Sequence, residues 1–410
     1  MSDLARRLRP LLPAAVLAAA VLILFGRILL SSDFILSAAG EDLDGYYVGM
    51  RQFGFSELKR GNLALWNPLL FSGAPYFANF ESALLYPPNW LHMLLSPARA
   101  INLGIALHAF MAGLFTFLWR RRRGSSELAA LLSGLIYMLS GPYFMHVFPG
   151  HLSNLCVMAW VPLLFLALDA WFDTSDPGWC LLGAFVVTMQ ILAGHPQYVY
   201  YTAMGAALYA FLRLHREPGG IRLALGAAAM YAGAALLSAV QLLTGVQALS
   251  ELTRGVGSQH HFARTFALAP ENLLTLLAPN LFGDMLALPY FGRWHLWEQS
   301  LFVGVTGLVL AAIGAAGADK KGRRPELAMA AAAVFLALGS TRRSTTSSTP
   351  TSPATPCSGA RRSSSSSRGC SWPRWPGWAS TACAAGGAGP SRRPRGRGRS
   401  ERCSPRRGPG

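Results

Sequence analysis

Apolar residues in this chain fall into long runs closed by short polar or basic connections. They show neither the alternation of strands nor the one-sided stripe of a surface helix. A helix that crosses a bilayer needs about 20 mostly apolar residues. Runs near Leu11–Leu30, Ile101–Trp119, Leu128–Tyr143, Leu152–Phe172, Trp179–Ala193, Tyr198–Leu214, Leu223–Gly245, Ser300–Ala316 and Leu327–Leu338 meet or approach that length. They predict an all-α polytopic membrane protein with about nine spans within residues 1–340. Arg27 interrupts the first run, and no small-residue cleavage pattern precedes the acidic stretch after it. The run therefore reads as a retained span, not a signal peptide.

Composition agrees. The 410 residues are 52% hydrophobic and only 13% charged, against about 25% charged in a soluble domain. The net charge of +17 does not point to nucleic acid. From Thr341 onward 14 arginines stand against one glutamate, so that segment carries +13 and the rest only +4. Four of the six cysteines (Cys357, Cys370, Cys383, Cys403) share that segment. Cys156 and Cys180 sit in apolar runs, and no spacing matches a zinc or disulfide framework.

Basic residues set an orientation. Arg6, Arg7 and Arg9, then Arg120–Arg123, then Arg213, Arg216 and Arg222, then Lys320, Lys321, Arg323 and Arg324 fall on alternate connections. Lys and Arg are retained on the cytoplasmic side, which places the N-terminus inside. The Gly40–Pro88 loop, Gly150-His151, Gly194-His195-Pro196-Gln197 and the Gln247–Glu298 loop are then external. Amphipathic helices are expected within the loops at Ser56–Asn62 and Pro88–Leu95.

The external segments hold the residues with chemistry. Asp42 and Asp44, beside Glu41, are suited to a general base, a metal ligand or a sugar-hydroxyl partner, or form a solvated acidic loop. Tyr46, Tyr47, Trp66 and Asn67 offer aromatic faces with polar edges, as sugar platforms and interfacial belts both do. His151, His195 and Gln197 stand at helix mouths, as structural caps or as the walls of a polar cavity. In the long loop Glu251, Arg254, His260, His261 and Arg264 include guanidinium forks suited to phosphate. The pair His260-His261 is a weak metal signal by itself, and Pro279–Asp284 has the composition of a turn. Glu298 is a carboxylate at a span entrance, costly there unless paired or wet.

The order of these motifs resembles the YfhO-like bacterial membrane proteins. The resemblance rests on the acidic loop with paired aromatics, Leu65-Trp66-Asn67-Pro68, Gly73-Ala74-Pro75 and Tyr86-Pro87-Pro88. Gly194-His195-Pro196-Gln197, Pro279-Asn280-Leu281-Phe282-Gly283 and Trp297-Glu298 with Phe302-Val303-Gly304 extend it. It implies a GT-C class glycosyltransferase fold and a sugar moved from a polyprenyl-phosphate donor to a cell-envelope acceptor at the outer face of the cytoplasmic membrane. It also implies a catalytic carboxylate in the first outer loop, Asp42 or Asp44. Tyr46, Trp66, Asn67, His151, His195, Gln197, Glu251, Arg254, Arg264 and Glu298 would hold substrate or phosphate. A divalent metal is a possible cofactor, and membrane lipid a partner. A lipid-linked sugar transporter and a noncatalytic envelope scaffold remain the alternatives.

Residues 341–410 break the pattern, with a serine run at Ser363–Ser367 and then Arg, Gly and Pro. They read as a disordered basic tail or as out-of-frame translation. Codons chosen within degeneracy for Cys357–Arg362 read, one base earlier, as Leu-Phe-Arg-Ser-Pro-Ala. That resembles the Leu-Phe-Arg-x-Pro segment expected next in the family. On this reading the chain is a truncated product whose activity is in question.

Overall fold

The structure, a computed structural model, describes residues 9–31, 34–37, 40–215, 217, 219–249, 267–284, 287–317 and 320–338, without the side chains of 9, 249 and 320–324. The 341–410 segment, with its serine run and cysteines, lies outside the described residues. The described residues are mostly helical. The principal helices are α1 (Leu12–Leu29), α2 (Val48–Lys59), α3 (Pro97–Arg122), α4 (Glu127–Leu139), α5 (Leu152–Thr174), α6 (Pro177–Leu192), α7 (Pro196–Leu214), α8 (Gly220–Leu237), α9 (Ala239–Leu249), α10 (Val305–Gly317) and α11 (Lys320–Ala337). Two residues of strand, Trp66–Asn67, pair antiparallel with Ala74–Pro75.

Local chemistry sets the helix limits. Ser126 Oγ accepts from the Ala129 amide to start α4. Asp176 Oδ1 accepts from Gly178, and Pro177 supplies a preset φ at the first position of α6. Helix α5 ends where Ser175 turns left-handed, at φ 56°.

Four helices, α1, α3, α5 and α8, are long and apolar enough to cross a membrane. A fifth crossing results if α4 and the bent segment Gly141–Val147 count as one. The bend is 42° and falls at Ser140, whose extended backbone precedes Gly141 and Pro142. The other expected runs are helical but shorter or more polar. Pro177–Leu192, Val305–Gly317 and Pro325–Ala337 have 10–17 residues, and α7 carries Tyr198, Tyr200, Tyr201 and Tyr209. The run expected at Leu223–Gly245 divides at Ser238 into α8 and α9.

Helix α5 is the axis of the assembly. Of its most apolar window 83% is buried, against 22% for α1 and 17% for α8. It packs on α3, α6 and α7, while α3 packs on α1 and α4, and α6 on α8. The outer helices α1 and α8 expose Leu22, Ile23, Ile221, Leu225 and Leu236, large apolar side chains of the kind that face lipid in a membrane helix. Helices α3 and α4 approach at Gly113 and Gly134. A Cβ on Gly134 would lie 2.6 Å from the Gly113 carbonyl oxygen, the small-residue contact typical of membrane helices.

At its C-terminal end α5 carries Asp169, buried among partners from several helices. Trp119 Nε1 donates to it at 2.7 Å, and Tyr209 and Arg213 also donate to it. Arg123 lies 3.5 Å away. Arg213 and Arg122 also reach Asp173, and Arg123 reaches Glu326 of α11 at 3.0 Å. The arginine clusters are thus partly neutralised where they converge.

Asp169→Ala should lower stability in detergent by about 2–3 kcal/mol. That is below the usual cost of stripping one partner from a buried pair, because the guanidiniums are partly wet. Asp173→Ala, at a carboxylate 46% exposed, should cost less than about 1 kcal/mol. Thermal unfolding of both variants in the same detergent measures the contrast.

Candidate functional site

The end of the bundle opposite the arginine cluster is built by the 40–88 segment lying on the first turns of α5 and α7. A five-residue π-helix, Leu43–Tyr47, runs directly into α2. The helix expected at Ser56–Asn62 is displaced toward the N-terminus: α2 ends at Lys59 and Gly61 turns at φ 82°. The segment expected at Pro88–Leu95 is a 3-10 helix, Pro87–Met93. A small core of Met50, Phe55, Ala64, Tyr76, Phe77 and Leu84 holds the segment together.

Two glycines let it dock. Gly150, at φ 75°, faces Leu43 so closely that a Cβ would fall 2.2 Å from the Leu43 Cβ. Beside this contact the Asp42 amide donates to the Pro149 carbonyl at 3.1 Å. Gly194, at φ 100°, faces Phe80 and Glu81, and a Cβ there would lie 2.5 Å from the Phe80 carbonyl oxygen. Each glycine precedes a histidine that opens a helix, His151 before α5 and His195 before α7.

The docking gathers imidazoles and carboxylates. Asp42 Oδ2 lies 3.5 Å from His151 Nε2, with the Asp42 side chain 62% exposed. His151 Nδ1 is 3.0 Å from His146 Nδ1, and His146 Nε2 is 3.1 Å from the Tyr198 hydroxyl. Ligand atoms of His146, His151 and Glu298 all lie within 4.8 Å of one another. The His151 ring meets Trp297 edge to face at 6.2 Å, and Trp297 stacks on His295 at 4.7 Å. The Nδ1 of His195 is buried without a hydrogen-bond partner, and its ring meets Tyr198 at 4.9 Å.

Burial disfavours charge on these groups. It pushes His151 down, against the opposing pull of Asp42. Burial and then the neighbouring His151 push His195 down to about 4. Burial raises Glu298 above the usual carboxylate range, with His295 opposing.

Asp42, His151, Glu298 and His195 thus come to one end of the bundle. Tyr46 stands beside them through Glu81, its hydroxyl accepting from Asn79 Nδ2 at 2.8 Å. Asp44 is exposed and its carboxylate accepts from the Gly40 amide at 3.4 Å. Gln197 is exposed and donates to the Tyr201 hydroxyl. Trp66 and Asn67 lie in the hairpin: Trp66 covers Gly73, and buried Asn67 accepts from the Leu69 amide at 2.9 Å. Glu251, Arg254, His260, His261 and Arg264 lie outside the described residues.

Three residues escaped the sequence reading. Glu81 accepts from the Tyr47 hydroxyl at 3.1 Å, and burial raises its pKa, with Tyr47, Tyr46 and Arg51 opposing and Asp42 adding a small push upward. Arg51 is 1% exposed, donates to the Ser82 carbonyl and lies 5.8 Å over the Tyr47 ring. His146 is buried in the turn before α5. The signal available was the isolated Glu81 in Phe80-Glu81-Ser82-Ala83-Leu84, a carboxylate within apolar flanks.

Compared with family models, curated proteins and solved structures, the chain matches none.

Gly194→Ala should destabilise the protein by about 2–4 kcal/mol, because the methyl group meets backbone at a φ that L-residues rarely adopt. Gly205→Ala in α7 has open space around its Cβ and should be neutral or mildly stabilising. Paired melting curves in detergent compare the two substitutions.

Proposed function

We propose that this chain is a membrane glycosyltransferase. It moves a sugar from a polyprenyl-phosphate donor to a cell-envelope acceptor at the outer face of the cytoplasmic membrane. The observation that carries the reading is the Asp42–His151 contact of 3.5 Å, with the carboxylate of Glu81 behind it. These groups stand where helices with apolar, exposed faces end. A lipid-anchored donor has its reacting bond at that depth, with its tail in the bilayer and its phosphate at the surface. The motif order of the YfhO-like proteins supports the same reading.

In this assignment α1, α3, α4, α5, α6, α7, α8 with α9, α10 and α11 are nine crossings, the shorter ones lying against longer neighbours. Positive residues favour the cytoplasmic side, so the Arg120–Arg123 end faces inward and the 40–88 segment outward. Lys59, exposed at the end of α2, tests this. In a cysteine-free background, Lys59→Cys in intact cells should react with a membrane-impermeant maleimide. Reaction only after the inner membrane is opened overturns the orientation and the external site with it.

The chemistry requires a base for the acceptor hydroxyl and a leaving phosphate. The hydroxyl oxygen bonds to the anomeric carbon, the carbon–oxygen bond to phosphate breaks with its electron pair leaving on phosphate, and Asp42 takes the hydroxyl proton. A single displacement inverts the anomeric centre. His151 orients Asp42, and the Tyr47-bound Glu81 offers a second proton-exchanging group.

Proteoliposomes containing the purified chain, a panel of radiolabelled undecaprenyl-phosphate hexoses and an envelope-polymer fraction test the reaction. Label should enter the polymer. Asp42→Asn should cut the rate about a hundredfold or more while leaving expression, and the melting temperature measured in chelator, unchanged. Donor that crosses the bilayer without any label entering polymer would replace this reading with a transporter. Transfer at the full rate by Asp42→Asn removes Asp42 from the mechanism.

A further inference from the structure

We propose that His146, His151 and Glu298 form a zinc site in which both imidazoles coordinate through Nδ1. The backbone brings the rings together: the His151 amide donates to the His146 carbonyl at 3.0 Å, closing the turn of residues 146–151. The two Nδ1 atoms then face each other at 3.0 Å. Glu298 arrives from Leu296–Gln299, and one ligand atom from each of the three residues lies within 4.8 Å of the others.

The ring nitrogens that face away carry the argument further. A neutral imidazole has one N–H and one lone pair. His151 Nε2 faces Asp42 Oδ2 at 3.5 Å, and a carboxylate oxygen is an acceptor, so this contact favours the proton of His151 on Nε2 and its lone pair on Nδ1. His146 Nε2 faces the Tyr198 hydroxyl at 3.1 Å, a group able to accept an N–H. This is the pattern of metal-bound histidines, whose remaining N–H is held by a carboxylate or another oxygen. Without a metal one proton between the two Nδ1 atoms makes this contact a hydrogen bond; with both outer nitrogens protonated, two Nδ1 lone pairs point at one place, where a cation would satisfy both. Zn–N bonds of 2.0–2.1 Å separate tetrahedral ligand nitrogens by about 3.3 Å, so the rings need part by only a few tenths of an ångström.

Two imidazoles and one carboxylate suit zinc, whereas magnesium and calcium favour all-oxygen sets. Three protein ligands leave a fourth position open, the arrangement of catalytic and not structural zinc. His146 is buried, while His151 and Glu298 are half-buried, so the site has a wall and an opening. Trp297, packed between the His151 and His295 rings, forms part of the wall. On the transfer reading above, the open position is a Lewis-acid site for a phosphate or hydroxyl oxygen. Metal binding itself stands without that reading.

The test uses the full chain, purified in detergent through a tag without histidine, stripped with chelator and titrated with zinc or with cobalt(II). One zinc per chain should bind, the cobalt form should show tetrahedral ligand-field bands, and zinc should raise the melting temperature. His146→Asn and Glu298→Gln should each weaken binding about tenfold or more and abolish the zinc-dependent stabilisation. Asp42→Asn should weaken binding by a comparable or smaller factor, through His151 alone. His260→Ala with His261→Ala should leave stoichiometry unchanged. If the zinc-free melting temperatures of His146→Asn and Glu298→Gln stay near wild type and zinc still binds them as tightly, the site is refuted. Magnesium bound in preference to zinc also refutes it. Because the readout needs neither donor nor acceptor, a failed transfer assay does not bear on it.

Discussion

The arrangement depends on two places where backbone lies against backbone with no room for a side chain. At Gly150 the π-helical turn Leu43–Tyr47 rests on the entrance to α5. At Gly194 the Phe80–Ser82 turn rests on the entrance to α7. Since α5 is the buried axis of the bundle, its first turn is a rigid support, and Asp42 is held through its own amide to Pro149. The contact between Asp42 and His151 is only as good as this docking. A misplacement of about 1 Å at reacting groups can cost a hundredfold in rate. The glycines therefore act on the Asp42–His151 geometry through position alone.

The two ends of the bundle handle polar groups by opposite means. At the arginine-rich end Asp169 is enclosed by two guanidiniums, a phenol and an indole. Every lone pair of the carboxylate has a donor within reach, and such a saturated network fixes helix positions and leaves little capacity for a ligand. At the other end the network is sparser. His195 keeps a buried Nδ1 without a partner, while His146 and His151 share one nitrogen-to-nitrogen hydrogen bond. A buried polar atom without a partner is costly, and a group that supplied the missing bond would be favoured there.

Much of this was legible in the sequence. The apolar runs marked the helices, because a long buried or lipid-facing helix needs continuous apolar residues. The glycine-histidine pairs at 150–151 and 194–195 marked the places where the 40–88 segment docks, since each glycine permits the close backbone approach ahead of a helix. The number of full crossings was less legible, because a run of residues does not reveal a break such as Ser140 or Ser238, where local backbone decides. Glu81, Arg51, His146 and Asp169 were hidden for a related reason. Each is a single polar residue in apolar surroundings, and its role comes from partners far along the chain: Tyr47 for Glu81, Ser82 for Arg51, Tyr198 for His146, Tyr209 and Arg213 for Asp169. Periodicity carries no record of such pairings.

Asp42 and Glu81 are best understood together. Both belong to the same docked segment, yet water meets most of the Asp42 side chain while Glu81 is enclosed between tyrosines and its pKa is raised by burial. Two carboxylates in unlike surroundings are chemically distinct, and the buried one holds its proton more tightly than a free carboxylate does. Asp42 also has an oxygen to spare: Oδ2 lies 3.5 Å from His151 Nε2, and a carboxylate accepts at more than one site. A cation at Nδ1 of His151 would strengthen the pull of its Nε2 on the facing oxygen of Asp42, so the metal site proposed above and the carboxylate of Asp42 are coupled through one imidazole ring.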